Sequence, residues 1–130
     1  MKFDVAVIGG GNSAVSDALY LSRLVKKVYL IHRRNTLRAE KLYHEPLLKA
    51  SNVEILWDSV VTDFITDARV KGVKIKNKKT NESNDIYCDG VFVSIGRKPA
   101  TELFVNQVEL DERGYVVAGE STETTIPGVY

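Results

Sequence analysis

Two clusters of residues in this 130-residue sequence are of types and spacings that could do chemistry. The first is Gly9-Gly10-Gly11-Asn12-Ser13-Ala14, which meets a GxGxxA pattern through Gly9, Gly11 and Ala14. In that pattern the first glycine permits a tight turn, the second lets a pyrophosphate approach the backbone, and the alanine keeps the next helix close to a sheet. Gly10 completes the glycine run, and Asn12 and Ser13 stand where a side chain can cap the helix or bond a phosphate. The second cluster is His32-Arg33-Arg34, with Arg38 four residues further on. It begins 18 residues after Ala14, near the place where a dinucleotide fold meets the adenosine ribose. A fold specific for NAD or FAD puts a carboxylate there to accept from the ribose hydroxyls. Guanidinium forks match a phosphate dianion instead, and they also stack on adenine. The expected occupant is the 2′-phosphate of NADPH.

Elements must bring the two clusters together. Residues 3–8 form a Val/Ile-rich run that ends at the glycines, as a buried strand closing in a turn does. From Ser13 to Val25 the apolar residues recur at three- and four-residue spacing, which predicts a helix. Lys27 to Ile31 reads as a second strand, so the opening of the chain is a βαβ unit with parallel strands. Ala39 to Ala50 reads as helical, with Pro46 kinking it, ending it or starting a new turn. Val53 to Trp57, Val60 to Ile65 and Val70 to Lys76 read as strands, and their short links suggest an antiparallel meander over one face of the sheet. Asn77 to Asp85 reads as a solvated hairpin tip. Gly90 to Ile95 is apolar on both faces, as a central parallel strand would be, and Tyr115 to Ala118 is strand-like. The fold class is α/β: a Rossmann-like FAD/NAD(P)-binding domain with a parallel sheet flanked by helices and an antiparallel β-meander on one face.

Composition narrows the function. Eighteen basic and seventeen acidic residues give a net charge of +1, so no overall field points to nucleic acid or a membrane surface. No apolar run is long enough to span a bilayer. The single cysteine, Cys88, excludes an internal disulfide, a CxxC pair and a cysteine-based zinc site within these residues, and it reads as a packed thiol. A reducing, cytoplasmic compartment is expected. No residue reads as a catalytic acid, base or nucleophile, and His44 and Glu45 read as surface residues.

The segments VAVIGGGNSAVSDALYL and VYLIHRRNTLRAEK resemble the NADPH domain of thioredoxin reductases, whose pattern is a GGGxxA turn followed by HRRxxxRA. GVFVSIGRKP and the closing TTIPGV are similar to the family as well, so the resemblance spans the whole chain. It implies that Arg33 and Arg38 bind the 2′-phosphate and that His32 and Arg34 lie beside the adenosine. Ile95 and Gly96 would approach the cofactor across the crevice, with Arg97 beside them. It implies further that residues 1–130 are an NADPH-binding domain excised from a longer, homodimeric flavoprotein, inactive by itself. In that parent, hydride passes from NADPH to FAD on a flavin-binding domain, then to a CxxC disulfide and thioredoxin. Neither the CxxC motif, which the family carries upstream of the glycine turn, nor the Gly-Asp flavin motif after TTIPGV is in the chain. A thioredoxin reductase-like ferredoxin-NADP reductase and a stand-alone NADP(H)-binding module are the alternatives.

Overall fold

The alternation of side chains along β1 (Asp4–Ile8) sets the layers of the molecule. Successive strand residues face opposite sides. Val5 and Val7 therefore enter one core with Ala14, Val15, Ala18 and Leu21, the buried face of α1 (Asn12–Ser22). Ala6 and Ile8 enter a second core on the other face, with Val73, Ile75 and Cys88. The same division runs through β2 (Lys27–Ile31), whose Val28 and Leu30 face the helix while Ile31 faces away.

The computed structural model describes residues 3–130 and divides into a first unit ending at Ile95 and a second running from Gly96 to Tyr130. In the first unit, β3 (Val53–Leu56), β2, β1 and β7 (Gly90–Val93) lie in that order in one parallel sheet. β4 (Ser59–Thr66), β5 (Val70–Asn77) and β6 (Ser83–Tyr87) form an antiparallel sheet, and its Val73 and Ile75 pack against the face opposite α1. This is the expected α/β class. No helix among the described residues is long and apolar enough to cross a membrane.

Several elements differ from the sequence expectation. Val53–Leu56 is not part of the meander: it pairs parallel with β2, Val28 opposite Val53 and Ile31 opposite Leu56. The short link after it changes sheets through Asp58, which sits at φ +52°, rather than folding a hairpin. The third meander strand is β6, read from sequence as the end of a solvated tip. It is polar because it lies at an outer edge, and only Ile86 turns toward the core. The turn it leaves is shorter than expected. Cys88 follows β6 and is buried, as a packed thiol is. The run Gly90–Val93 is an edge strand of the described sheet, with Phe92 and Val93 exposed. Ala39 to Ala50 is a 3-10 turn (Lys41–Tyr43) followed by the six-residue helix α2 (His44–Lys49). Pro46 lies in the first turn of α2, where its missing N–H costs nothing.

The second unit contains a 3-10 turn (Glu102–Phe104) and one antiparallel bridge, Leu110 to Val116, in place of the strand expected at Tyr115 to Ala118. None of its residues is buried.

Leu30 is fully buried between the sheet and α1. Leu30→Ala is expected to lower the unfolding free energy by about 2–5 kcal/mol. Leu42→Ala, at a side chain 77% exposed, is expected to stay within about 0.5 kcal/mol, and urea unfolding of both variants checks the contrast.

Candidate functional site

Parallel pairing puts the carboxyl ends of β1, β2, β3 and β7 along one edge of the sheet. The segments that leave this edge are Gly9–Gly11, residues 32–40, the turn at Trp57 and Asp58, and Ser94 with Ile95. Open parallel sheets take ligands at this edge, where the strand order reverses. Here the reversal falls at β1, between β2 on one side and β7 on the other.

The three glycines meet three different demands. Gly9 has φ +144°, and a Cβ there would lie 2.3 Å from the Ser94 carbonyl oxygen and 2.8 Å from the Ala14 Cβ. Its N–H donates to the Ile31 carbonyl at 3.0 Å, so it is held between the ends of β2 and β7 and the start of α1. Gly10 faces the His32 ring: a Cβ would lie 2.2 Å from Nδ1. Gly11 has φ −88° and nothing within 4 Å of a Cβ position. The fold requires glycine at 9 and 10 and leaves open space at 11.

Gly11 is also the N-cap of α1, and no side chain caps the helix. The N–H groups of its first turn are therefore left for water or a ligand. Asn12 does not cap. Its Oδ1 accepts from the Glu40 N–H at 2.8 Å and its Nδ2 donates to Glu40 Oε1 at 3.1 Å. Ser13 is exposed in the first turn and Ala14 is buried against the sheet.

The basic segment is fixed by its backbone. The Gly10 carbonyl accepts from the N–H of Arg38 at 2.7 Å and of Ala39 at 3.0 Å. The Asp58 N–H donates to the Arg34 carbonyl at 3.1 Å, and the Ser59 N–H to the His32 carbonyl at 3.0 Å. His44, expected on the surface, is half-buried, and its Nε2–H donates to the Ala39 carbonyl at 2.9 Å. With their backbone held this way, the Arg33, Arg34 and Arg38 side chains are exposed, and none joins an ion pair among the described residues.

His32 is different. It is 4% exposed, its Nε2 donates to the Thr36 carbonyl at 2.8 Å, and it meets the Trp57 ring edge-on at a centroid distance of 6.2 Å. Burial pushes its pKa below the ordinary 6.5, and the charges of Arg34, Arg33 and Arg38 push the same way, against the Thr36 bond. Burial likewise raises the Cys88 thiol above its ordinary value, which suits packing rather than reaction.

The structure thus brings Gly9–Ala14, His32, Arg33, Arg34 and Arg38 together, with Ile95, 72% exposed, beyond the end of β7. Gly96, at φ +113°, and the exposed Arg97 open the second unit. One pair was not read from sequence: Ser94 Oγ donates to Asp17 Oδ2 at 2.6 Å, pinning the end of β7 to α1. Two polar residues set in apolar runs were the available signal.

A family model described as pyridine nucleotide-disulphide oxidoreductase matches residues 2–130. A thioredoxin reductase from Rickettsia typhi is 43% identical over 131 residues, covering 98% of this chain and 42% of that protein. The structure of Lactococcus lactis thioredoxin reductase in its FR conformation matches at TM-score 0.89 and 34% identity, over 99% of this chain and 43% of that one. Thioredoxin reductase from T. acidophilum matches at TM-score 0.88 and 37% identity, over 98% and 42%. The chain therefore spans less than half the length of these relatives.

Two predictions follow from the geometry. Gly9→Ala is expected to destabilise the chain by about 2–4 kcal/mol through backbone strain and overlap, whereas Gly11→Ala should cost no more than about 1 kcal/mol; chemical denaturation distinguishes them. The folded state also holds the His32 imidazole neutral while the unfolded chain protonates it near pH 6.5. Its contribution is therefore intact above pH 6.5 and is lost as the pH falls from there toward the lower folded pKa. The melting temperature of the unaltered chain should fall across that window more steeply than that of His32→Phe.

Proposed function

The chain belongs to the pyridine nucleotide-disulphide oxidoreductase family, and from that premise we propose that it is the NADPH-binding lobe of a thioredoxin reductase-type flavoprotein. The observation that carries this reading is the attachment of a loop of unpaired guanidinium groups directly to the carbonyl of the glycine turn. A pyrophosphate fits at Gly9, Gly10 and Gly11, because the open space at Gly11 admits a phosphate oxygen that any side chain would displace. The first-turn N–H groups of Asn12, Ser13 and Ala14 and the positive end of α1 favour the anion. Arg33 and Arg38 would hold the 2′-phosphate, with Arg34 beside the adenosine. Guanidinium groups without carboxylate partners gain charge-assisted hydrogen bonds there and give up none. Ile95 would meet the cofactor from the β7 side, and the proposal extends to Gly96 and Arg97, which follow it in sequence.

When bound, NADPH would supply hydride for an FAD held by the flavin-binding part of a longer chain, and through it for a CxxC disulfide and thioredoxin. The contribution of these 130 residues is to bind and orient. The exposed Leu103, Phe104, Val105, Tyr115 and Tyr130 of the second unit supply apolar surface for contact with that flavin-binding part.

Arg33→Ala or Arg38→Ala is expected to weaken NADPH binding by about 1.5–3 kcal/mol, the scale of a hydrogen bond to a charged group, and to leave NADH binding nearly unchanged. Titration calorimetry with both nucleotides measures this, and equal losses for the two would remove the assignment.

A further inference from the structure

We propose that His32 is a positioning residue: its imidazole, wedged between Gly10 and the loop that carries the arginines, props the glycine turn that seats the pyrophosphate and touches neither phosphate. The inference rests on the NADPH reading above and assigns His32 a role within it.

The donor capacity of His32 is already committed. Its backbone N–H donates to the Leu56 carbonyl at 3.0 Å and its carbonyl accepts from the Ser59 N–H at 3.0 Å. A carbonyl only accepts, so the Nε2 that bonds Thr36 at 2.8 Å carries the proton of a neutral ring. Nδ1 is then a bare acceptor, and it faces Gly10 at a separation that leaves no room for a Cβ. A phosphate oxygen is also an acceptor. A neutral ring with its one N–H spent on Thr36 has nothing to offer a phosphate. The charged groups nearby, Arg33, Arg34 and Arg38, oppose a second proton on the ring.

What the ring does have is contact with three segments at once. Gly10 belongs to the glycine turn, Thr36 to the basic loop, and Trp57 to the turn after β3. A rigid spacer there holds the glycine turn, the seat both nucleotides share, in place before any ligand arrives, and a preformed site loses less on binding. Because the spacer sits beneath the turn, its removal disturbs every dinucleotide alike.

Titration calorimetry of the unaltered chain, His32→Ala and His32→Phe with NADPH and with NADH tests this. His32→Ala should weaken both nucleotides by the same factor, roughly tenfold, as the loss of one buried hydrogen bond with its packing implies. Their affinity ratio should stay that of the unaltered chain. His32→Phe, which keeps a ring against Gly10 and Trp57, should recover part of the loss. A loss selective for NADPH, like that expected of Arg33→Ala, overturns the proposal, as does unchanged affinity in a folded His32→Ala. Should His32→Ala not fold, nitrogen NMR of the unaltered chain decides. The His32 resonances should report a protonated Nε2 and a bare Nδ1, unmoved as NADPH is added, and protonation of Nδ1 on addition overturns the proposal. If the unaltered chain shows no preference for NADPH over NADH, the NADPH reading itself fails and takes the inference with it. A preserved preference with an altered ratio in His32→Ala defeats only the inference.

Discussion

Two amide hydrogens, those of Arg38 and Ala39, converge on the carbonyl oxygen of Gly10 at 2.7 and 3.0 Å, and this convergence ties the basic loop to the glycine turn. Without it the two clusters would sit on separate connections, each free to move, and a ligand binding both would have to order them. Ordering backbone costs roughly 1–2 kcal/mol per residue, so a loop fixed in the folded state is worth several kilocalories to whatever binds it. Every other contact at the site serves the same end. Asn12 grips Glu40, His44 holds the Ala39 carbonyl, Asp58 holds the Arg34 carbonyl, and Ser94 holds Asp17 at the far side of the turn.

The site carries costs that the rest of the fold does not. Three guanidinium groups lie within six residues of one another with no carboxylate among the described residues paired to them, next to the positive end of α1. Exposure moderates the repulsion, since charges in water interact weakly and are screened within about 10 Å at moderate salt. The glycine run adds conformational entropy to the unfolded chain. Departures of this kind from local consistency cluster at functional sites, and here the repulsion relaxes when an anion arrives.

Much of this was legible in the sequence because it was local. The Val/Ile strand, the glycine turn, the α1 spacing and HRRxxxR each declare themselves within a few residues, and the observed β1, α1 and β2 lie close to the expected bounds. What escaped depended on distant partners. Val53–Leu56 has the composition of any short strand, and only its pairing with β2 assigns it to the parallel sheet. β6 is polar because an outer strand can be. The apolar character of Gly90–Val93 suggested neighbours on both sides, yet the described sheet supplies one. At the site, the motif put His32 among the ligands, whereas its burial beneath Gly10 depends on how two loops pack. Glycine at 10 was the only hint, and in a run of three it could not be told from its neighbours.

The central claim is that the basic loop offers a charged seat, and Gly11 an open one, to the two phosphate groups of NADPH. A crystal structure of the chain with NADP⁺ tests it most directly. The 2′-phosphate should lie between the Arg33 and Arg38 guanidinium groups, with the pyrophosphate against the Gly11 backbone and the Gly10–Arg38 hydrogen bond unchanged. Adenosine bound away from this loop, with the three arginines still turned to solvent, would contradict the account.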